Sequence, residues 1–219
     1  MINFPVSETF TSIQGEGSTS GLPTHFIRLA GCNLAIDHGG CTWCDTRYAQ
    51  RKEQAAREMS LEDLIKGVPL YPKTVCLTGG EPLMHEGLVD LIERLWKRGK
   101  SIVVETNGSI PIPAVRGLVS WSVDVKCPSS RMDTHNCWKN LTELGTLDQL
   151  KFVIGDEKDY SYALAVLDEY PVDCPIYFQP AYKYLVPEVL AAWILRDTLD
   201  VSLSLQLHKI IWGASVRGV

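Results

Sequence analysis

Short apolar stretches take turns with longer helix-patterned segments along most of this chain, and that alternation leaves few folds open. Strands are expected at 24–30, 74–78, 101–106, 118–125, 149–154, 175–179 and 201–207, and helices at 60–66, 86–98, 159–169 and 187–196. Start signals support two of the helices: Ser60 stands three residues before Asp63, and Pro187 opens the last one. Strands alternating with helices imply a parallel sheet. Parallel strands covered on both faces read as unbroken apolar runs, whereas these place polar groups on one side. Phe26, Arg28 and Ala30 share a face, as do Cys76, Thr78 and Gly80; Val103, Glu105 and Asn107; Ser122, Asp124 and Lys126; and Tyr177 with Gln179. Ser202, Ser204, Gln206 and His208 alternate with Val201, Leu203, Leu205 and Leu207. One apolar wall and one wall of charged and amide groups describe a barrel with a polar lumen. The expected architecture is therefore α/β, an incomplete, modified β/α (TIM-like) barrel, in a single domain over residues 1–219.

At 219 residues, folding buries roughly 70% of the extended-chain surface, so a core forms without disulfide staples or an obligatory metal. A metal here is expected to be functional. Lys and Arg number 21 against 26 Asp and Glu, a formal charge of -5, which argues against a nucleic-acid partner. No stretch approaches the roughly 18 apolar residues of a membrane span, and the opening residues lack a basic segment followed by an apolar one, so a cytoplasmic location is expected. The 7 cysteines then read as thiols or ligands rather than a disulfide framework.

Cys32, Cys41 and Cys44 follow the first of these strands. Cys41-Thr42-Trp43-Cys44 is a chelating pair, and the glycines at 39 and 40 let the chain bring Cys32 in as a third ligand. Three thiolates suit either an iron-sulfur cluster with one iron left open or a closed zinc site completed by His38. Thr78-Gly79-Gly80-Glu81-Pro82 lies at the end of the next strand, where parallel α/β folds bind ligands. Its glycines permit close backbone approach, and strand-end carbonyls with the Glu81 carboxylate are placed to receive an amino group.

A three-cysteine loop after one strand and Gly-Gly-Glu-Pro after the next resemble the radical S-adenosylmethionine (SAM) superfamily. There, the open iron of a 4Fe-4S cluster binds the methionine moiety of SAM, and reductive cleavage of a sulfonium bond gives a 5'-deoxyadenosyl radical. The spacing here is C-x8-C-x2-C rather than the commoner C-x3-C-x2-C. Phe10 through Gly17, Cys44-Asp45-Thr46, Glu105-Thr106-Asn107-Gly108, Val125 through Ser130, Gln179-Pro180 and Leu207-His208-Lys209 narrow the resemblance to the 7-carboxy-7-deazaguanine synthase family, in which longer first spacings are used more freely. This resemblance covers nearly the whole chain and implies a barrel of the radical SAM type. It further implies conversion of 6-carboxy-5,6,7,8-tetrahydropterin into 7-carboxy-7-deazaguanine with loss of ammonia, in the deazapurine and queuosine pathways.

The resemblance also implies roles. Cys32, Cys41 and Cys44 would hold the 4Fe-4S cluster. Gly80, Glu81, Glu105, Asp124, Val125, Lys126 and Gln179 would surround SAM, although many relatives carry Ser-Pro-Lys where this chain has Asp124-Val125-Lys126. Ile13, Gln14, Gly15, Glu16, Arg28, Thr78, His208 and the carboxylate of Val219 would bind the carboxylated pterin, with Arg28, Glu16 and His208 the catalytic candidates. Thr46 would ligate Mg2+. An external electron donor such as flavodoxin or ferredoxin and a homodimer are the implied partners.

Independent chemistry agrees with several of these roles. The guanidinium of Arg28 offers a planar fork to a carboxylate, and Glu16 can accept from pterin N–H groups. Mg2+ keeps waters and borrows oxygens from substrate, so a single threonine can serve it. The loop from Gln14 to Gly21 could shield a radical from solvent. Other readings stay open at this stage. Arg28 also suits a salt-bridged strand residue, and His208 a core histidine. Cys76, Cys127, Cys137 and Cys174 read as packing residues, and Trp193, Leu195 and Trp212 as core or interface. An activase that abstracts hydrogen from a protein glycine, or a zinc-stabilised binding module built on Cys32, His38, Cys41 and Cys44, would use the same cysteine loop.

Overall fold

A computed structural model describes residues 2–115 and 117–219. The strands are β1 (Asn3–Ile13), β2 (Pro23–Leu29), β3 (Arg57–Ser60), β4 (Thr74–Gly79), β5 (Ser101–Thr106), β6 (Ser120–Val125), β7 (Gln149–Ile154), β8 (Ile176–Pro180) and β9 (Ser202–Leu203). The helices are α1 (Asn33–His38), α2 (Leu61–Gly67), α3 (Leu88–Lys97), α4 (Lys139–Glu143), α5 (Glu157–Glu169), α6 (Pro187–Arg196) and α7 (Leu207–Ile211). One nine-stranded sheet runs β3-β1-β2-β4-β5-β6-β7-β8-β9, parallel from β2 onward and antiparallel at β3-β1-β2.

The helices form where local chemistry starts them and one face can be buried. Ser60 Oγ accepts from Asp63 N at 3.2 Å and donates to the Asp63 carboxylate at 2.7 Å, which caps α2. Asp156 accepts from the backbone of Lys158 and Asp159 and caps α5. Leu88, Leu91, Ile92 and Leu95 fall on one stripe of α3 and join Ile27, Leu29, Val75, Leu77, Ile102 and Val104 in the core, which lies between the helices and the outer face of the sheet.

The other face closes on itself. β1 and β7 lie five strand spacings apart in the sheet order. A flat sheet would separate them by about 24 Å. Yet Ser18 N in the loop after β1 donates to Gln149 Oε1 of β7 at 2.6 Å, and Lys151 Nζ of β7 is 2.9 Å from Glu16 Oε2. The sheet must curl for these contacts to exist, and the result is an open, barrel-like trough. Because Ile13 pairs with Pro23 at the start of β2, the 14–22 loop plugs the N-terminal end of the parallel strands, while the cysteine loop covers the C-terminal end.

The structure shortens one expected strand and adds elements for which the sequence pattern carries no expectation. β1 and β3 were not anticipated, because β1 carries Pro5 and many polar residues; pairing on both sides makes it a strand. The expected strand at 201–207 is reduced to Ser202–Leu203, both exposed. After Ser204 N bonds Phe178 O, the chain leaves the sheet and winds into α7, whose first residue donates to Gly15 O at 3.0 Å. Between Cys32 and Cys41, Asn33–His38 form α1, which buries Leu34 and Ala35 and ends at Gly39 in a left-handed conformation.

Candidate active site

The trough encloses a cavity of about 540 Å³. Every site residue expected from the sequence borders it except Glu81 and Val125.

At the upper rim, Cys32 leaves β2 with its N–H bonded to Gln50 O, and Cys44 N bonds Cys41 O in a tight turn. Trp43 packs between these ligands and the chain beyond, 5.4 Å from the Tyr184 ring. The three thiols are free and half-buried. Burial pushes Cys32 and Cys41 up, and the Lys126 ammonium opposes this. His38 turns to a different neighbour, its ring stacked on His135 at 3.8 Å.

Beside the thiols, β2 and β4 come together at Gly79 and Gly80. A Cβ would lie 2.1 Å from Leu29 O at the first and 2.3 Å from Gly31 O at the second, so only glycine fits. Glu81 is fully buried, and its carboxylate accepts from Leu83 N (3.0 Å), Thr106 Oγ1 (2.8 Å) and Asn107 N (2.6 Å). It thereby clamps the end of β5. Asn107 in turn donates to Asn33 Oδ1 and approaches Cys32 Sγ at 3.7 Å. Val125 also differs from expectation: strand alternation turns its side chain into the apolar core.

A chain of charges crosses the lumen. Lys126 Nζ is 2.7 Å from Asp124 Oδ2, Asp124 Oδ1 is 3.2 Å from Lys151 Nζ, and Lys151 reaches Glu16, whose other oxygen accepts from Gln206 Nε2 at 2.7 Å. Burial raises Glu16 and Asp124, but the adjacent ammonium groups outweigh it and hold both below the ordinary carboxylate range. Gln14 Nε2 donates to Glu105 at 3.1 Å, and Gln14 Oε1 accepts from Gly15 N at 2.8 Å. Arg28 is both a wall residue and an ion-pair partner: its Nε donates to Glu8 at 2.8 Å, and Tyr48 OH donates to the same oxygen. The fork expected of it is thus partly engaged. Burial lowers His208, which lies against Gly15. Residues 214–219 line the cavity mouth, and the Arg217 guanidinium sits 3.8 Å over the Tyr48 ring.

Residues 26–135 match the Radical SAM superfamily. The chain is 39% identical to the 7-carboxy-7-deazaguanine synthase of Chlorobaculum tepidum, over 98% of this chain and 96% of that protein. It is 40% identical to the synthase of Methanospirillum hungatei, over 94% and 84%. The chain belongs to the 7-carboxy-7-deazaguanine synthase family. The crystal structure of QueE from Escherichia coli matches 93% of this chain and 94% of that one at TM-score 0.74 and 26% identity. SuiB of Streptococcus suis bound to S-adenosylmethionine shares the fold at TM-score 0.54 and 12% identity, over 80% of this chain and 48% of its own.

A radical SAM enzyme of deazapurine biosynthesis is what this trough serves, and the activase and zinc-module readings give way to it. The donor set fits the cofactors of the 7-carboxy-7-deazaguanine synthase family. Three unbridged thiols line the cavity, the number of cysteine ligands that a 4Fe-4S cluster with one open iron takes. Gln179 lines the same cavity, and its Oε1 is buried with no hydrogen-bond partner among the described residues, an acceptor suited to a bound donor such as SAM. Sequence reasoning missed Lys151, Glu8 and Tyr48, and named Asp45, Gln206 and Lys209 only within motifs or a strand period, without a site role; all six line the cavity. The polar pair Gln149 and Lys151 at period two in an apolar strand was the available signal for Lys151.

Proposed function

We propose that this chain converts 6-carboxy-5,6,7,8-tetrahydropterin into 7-carboxy-7-deazaguanine and ammonia. The observation that carries this reading is a single cavity lined both by three thiols and by Gln14, Glu16, Arg28 and His208. Cys32, Cys41 and Cys44 would hold the cluster. Gly80, Glu105, Asp124, Lys126 and Gln179 would contact SAM, with Glu81 and Val125 supporting from behind. When bound, these cofactors supply one-electron reduction and a carbon radical that abstracts hydrogen. The chain's own groups bind and orient the substrate. Ionised Glu16 accepts from pterin N–H groups, Arg28 pairs with the substrate carboxylate through its remaining N–H groups, and His208, lowered by burial, serves as a neutral imidazole. Ile13, Gly15, Thr78 and Val219, which also line the cavity, would contact the pterin. Strand walls, the 14–22 loop and the C-terminal residues exclude water from the radical.

Thr46, with its Oγ1 3.7 Å from Cys44 Sγ, would bind Mg2+ together with substrate oxygens. A flavodoxin- or ferredoxin-type donor would supply electrons. The homodimer belongs to this proposal, as do the single domain and the cytoplasmic location. The test is anaerobic reconstitution with iron and sulfide, followed by reductant, SAM and 6-carboxytetrahydropterin with and without Mg2+, read by mass spectrometry. Magnesium-stimulated product is expected; 5'-deoxyadenosine without 7-carboxy-7-deazaguanine would overturn the substrate assignment.

The loop geometry yields a narrower expectation. A Cβ at Gly15 would lie 2.3 Å from His208 Nδ1. Gly15→Ala should push the imidazole out of place and raise the pterin KM about tenfold with kcat little changed, as measured by steady-state kinetics.

A further inference from the structure

We infer that Lys151 is a positioning residue for this reaction: it fixes Glu16 toward the pterin by tying it across the lumen to Asp124. The inference rests on the proposed role of Glu16.

Lys151 is nine-tenths buried on the lumen face of β7, directly opposite Asp124 of β6 in the parallel register. Its ammonium sits between two carboxylates, 2.9 Å from Glu16 and 3.2 Å from Asp124. Its strand neighbours Leu150, Phe152 and Ile154 are fully buried in the core behind. The sheet has no need of a cation there, since backbone pairing holds β7 to β6 and β8, and burying an ammonium is unfavourable unless its partners compensate.

Glu16 is the group that needs the tie. It lies between two glycines, in extended backbone with φ -140 and ψ 157, just before a 3-10 turn that its side chain does not cap. The direction of its carboxylate is therefore set by the two side chains that hold it, Lys151 on one oxygen and Gln206 on the other. Gln206 also reaches Asp45 at 3.4 Å, so it is shared. Asp124, by contrast, keeps Lys126 at 2.7 Å when Lys151 is gone. Losing Lys151 should thus disturb the pterin side of the lumen much more than the SAM side.

Lys151→Met is expected to raise the pterin KM about 30-fold, with the KM for SAM within about threefold and cluster content unchanged. Lys151→Arg, which can still bridge two carboxylates, should recover most of the pterin affinity. Combining Lys151→Met with Glu16→Gln should be no worse than Glu16→Gln alone, because the two act through one contact. Should Lys151→Met fail to fold, Lys151→Gln keeps a polar side chain between the two carboxylates without the cation, and the same ratio of KM changes is read on that protein. A pterin KM within twofold of the parent, an equal rise in both KM values, or additive effects with Glu16→Gln would overturn the inference. A parent enzyme that forms no product refutes the proposed substrate instead, so the two failures are distinct.

Discussion

Cys44→Ala is expected to abolish product formation while leaving the fold intact. The thiol is half-buried where it lines the cavity, outside the hydrophobic core, and lies 3.7 Å from Thr46 Oγ1. Removing one sulfur there should change stability by less than about 1 kcal/mol, in the range of ordinary substitutions away from the core. Loss of a thiolate from a three-cysteine site is a different matter, since the cluster then lacks one protein ligand. After anaerobic reconstitution, visible absorbance and iron content should drop with activity, while the thermal unfolding midpoint stays near the parent's. Cys32→Ala and Cys41→Ala should behave alike. Cys174→Ala, at a buried site in the core, should show the reverse: lowered stability with cluster and activity retained. Full activity in Cys44→Ala would remove the cluster from the proposed chemistry. His38→Ala provides a further contrast, because its ring stacks on His135 and its loss should leave the cluster untouched.

How far the sequence discloses this molecule depends on how local each cause is. Residues 101–106 and 149–154 are strands with the expected bounds because apolar content and period are carried within the segment. β1 is not legible in that way. Pro5, Ser7, Glu8, Thr9 and Thr11 argue for a loop, and the strand exists because β2 and β3 pair with both its edges. At 201–207 the period is that of a strand, but β8, its one strand neighbour among the described residues, ends its pairing at Phe178, and docking of α7 on Gly15 decides the rest.

The same distinction runs through the site. Cys41 and Cys44 announce themselves by spacing, and Gly79 and Gly80 by their place after a strand. Lys151 does not, because its counterion Glu16 is 135 residues away in the chain. For Arg28 the chemistry is legible but its partner is not, since Glu8 sits on a strand that the pattern hides. Closing the trough is what brings these groups together, and closure is a property of the whole sheet.

Glu81 shows how direction, as well as identity, escapes the sequence, and its replacement should have the largest effect on stability. The carboxylate accepts from Leu83 N, Thr106 Oγ1 and Asn107 N in a site with no solvent. Glu81→Ala strands all three donors and opens a cavity, at a cost of about 4 kcal/mol. Glu81→Gln keeps one acceptor oxygen but sets an amide N–H₂ against a donor, and should cost about 2 kcal/mol. Activity should fall with either, because Asn107 links this carboxylate to Asn33 and Cys32. The parent also carries a pH signature. Burial, opposed by the three donors, pushes Glu81 from 4.5 up to about 7. The folded chain therefore holds a proton between those values that the unfolded chain has released. The stability from this group is fully present below pH 4.5 and is lost as pH rises through about 7. Its full extent is about 3 kcal/mol. Urea unfolding of parent and Glu81→Gln across pH 5 to 8 should show this slope in the parent alone; identical slopes would mean that the carboxylate is ionised throughout, held by its donors in spite of burial.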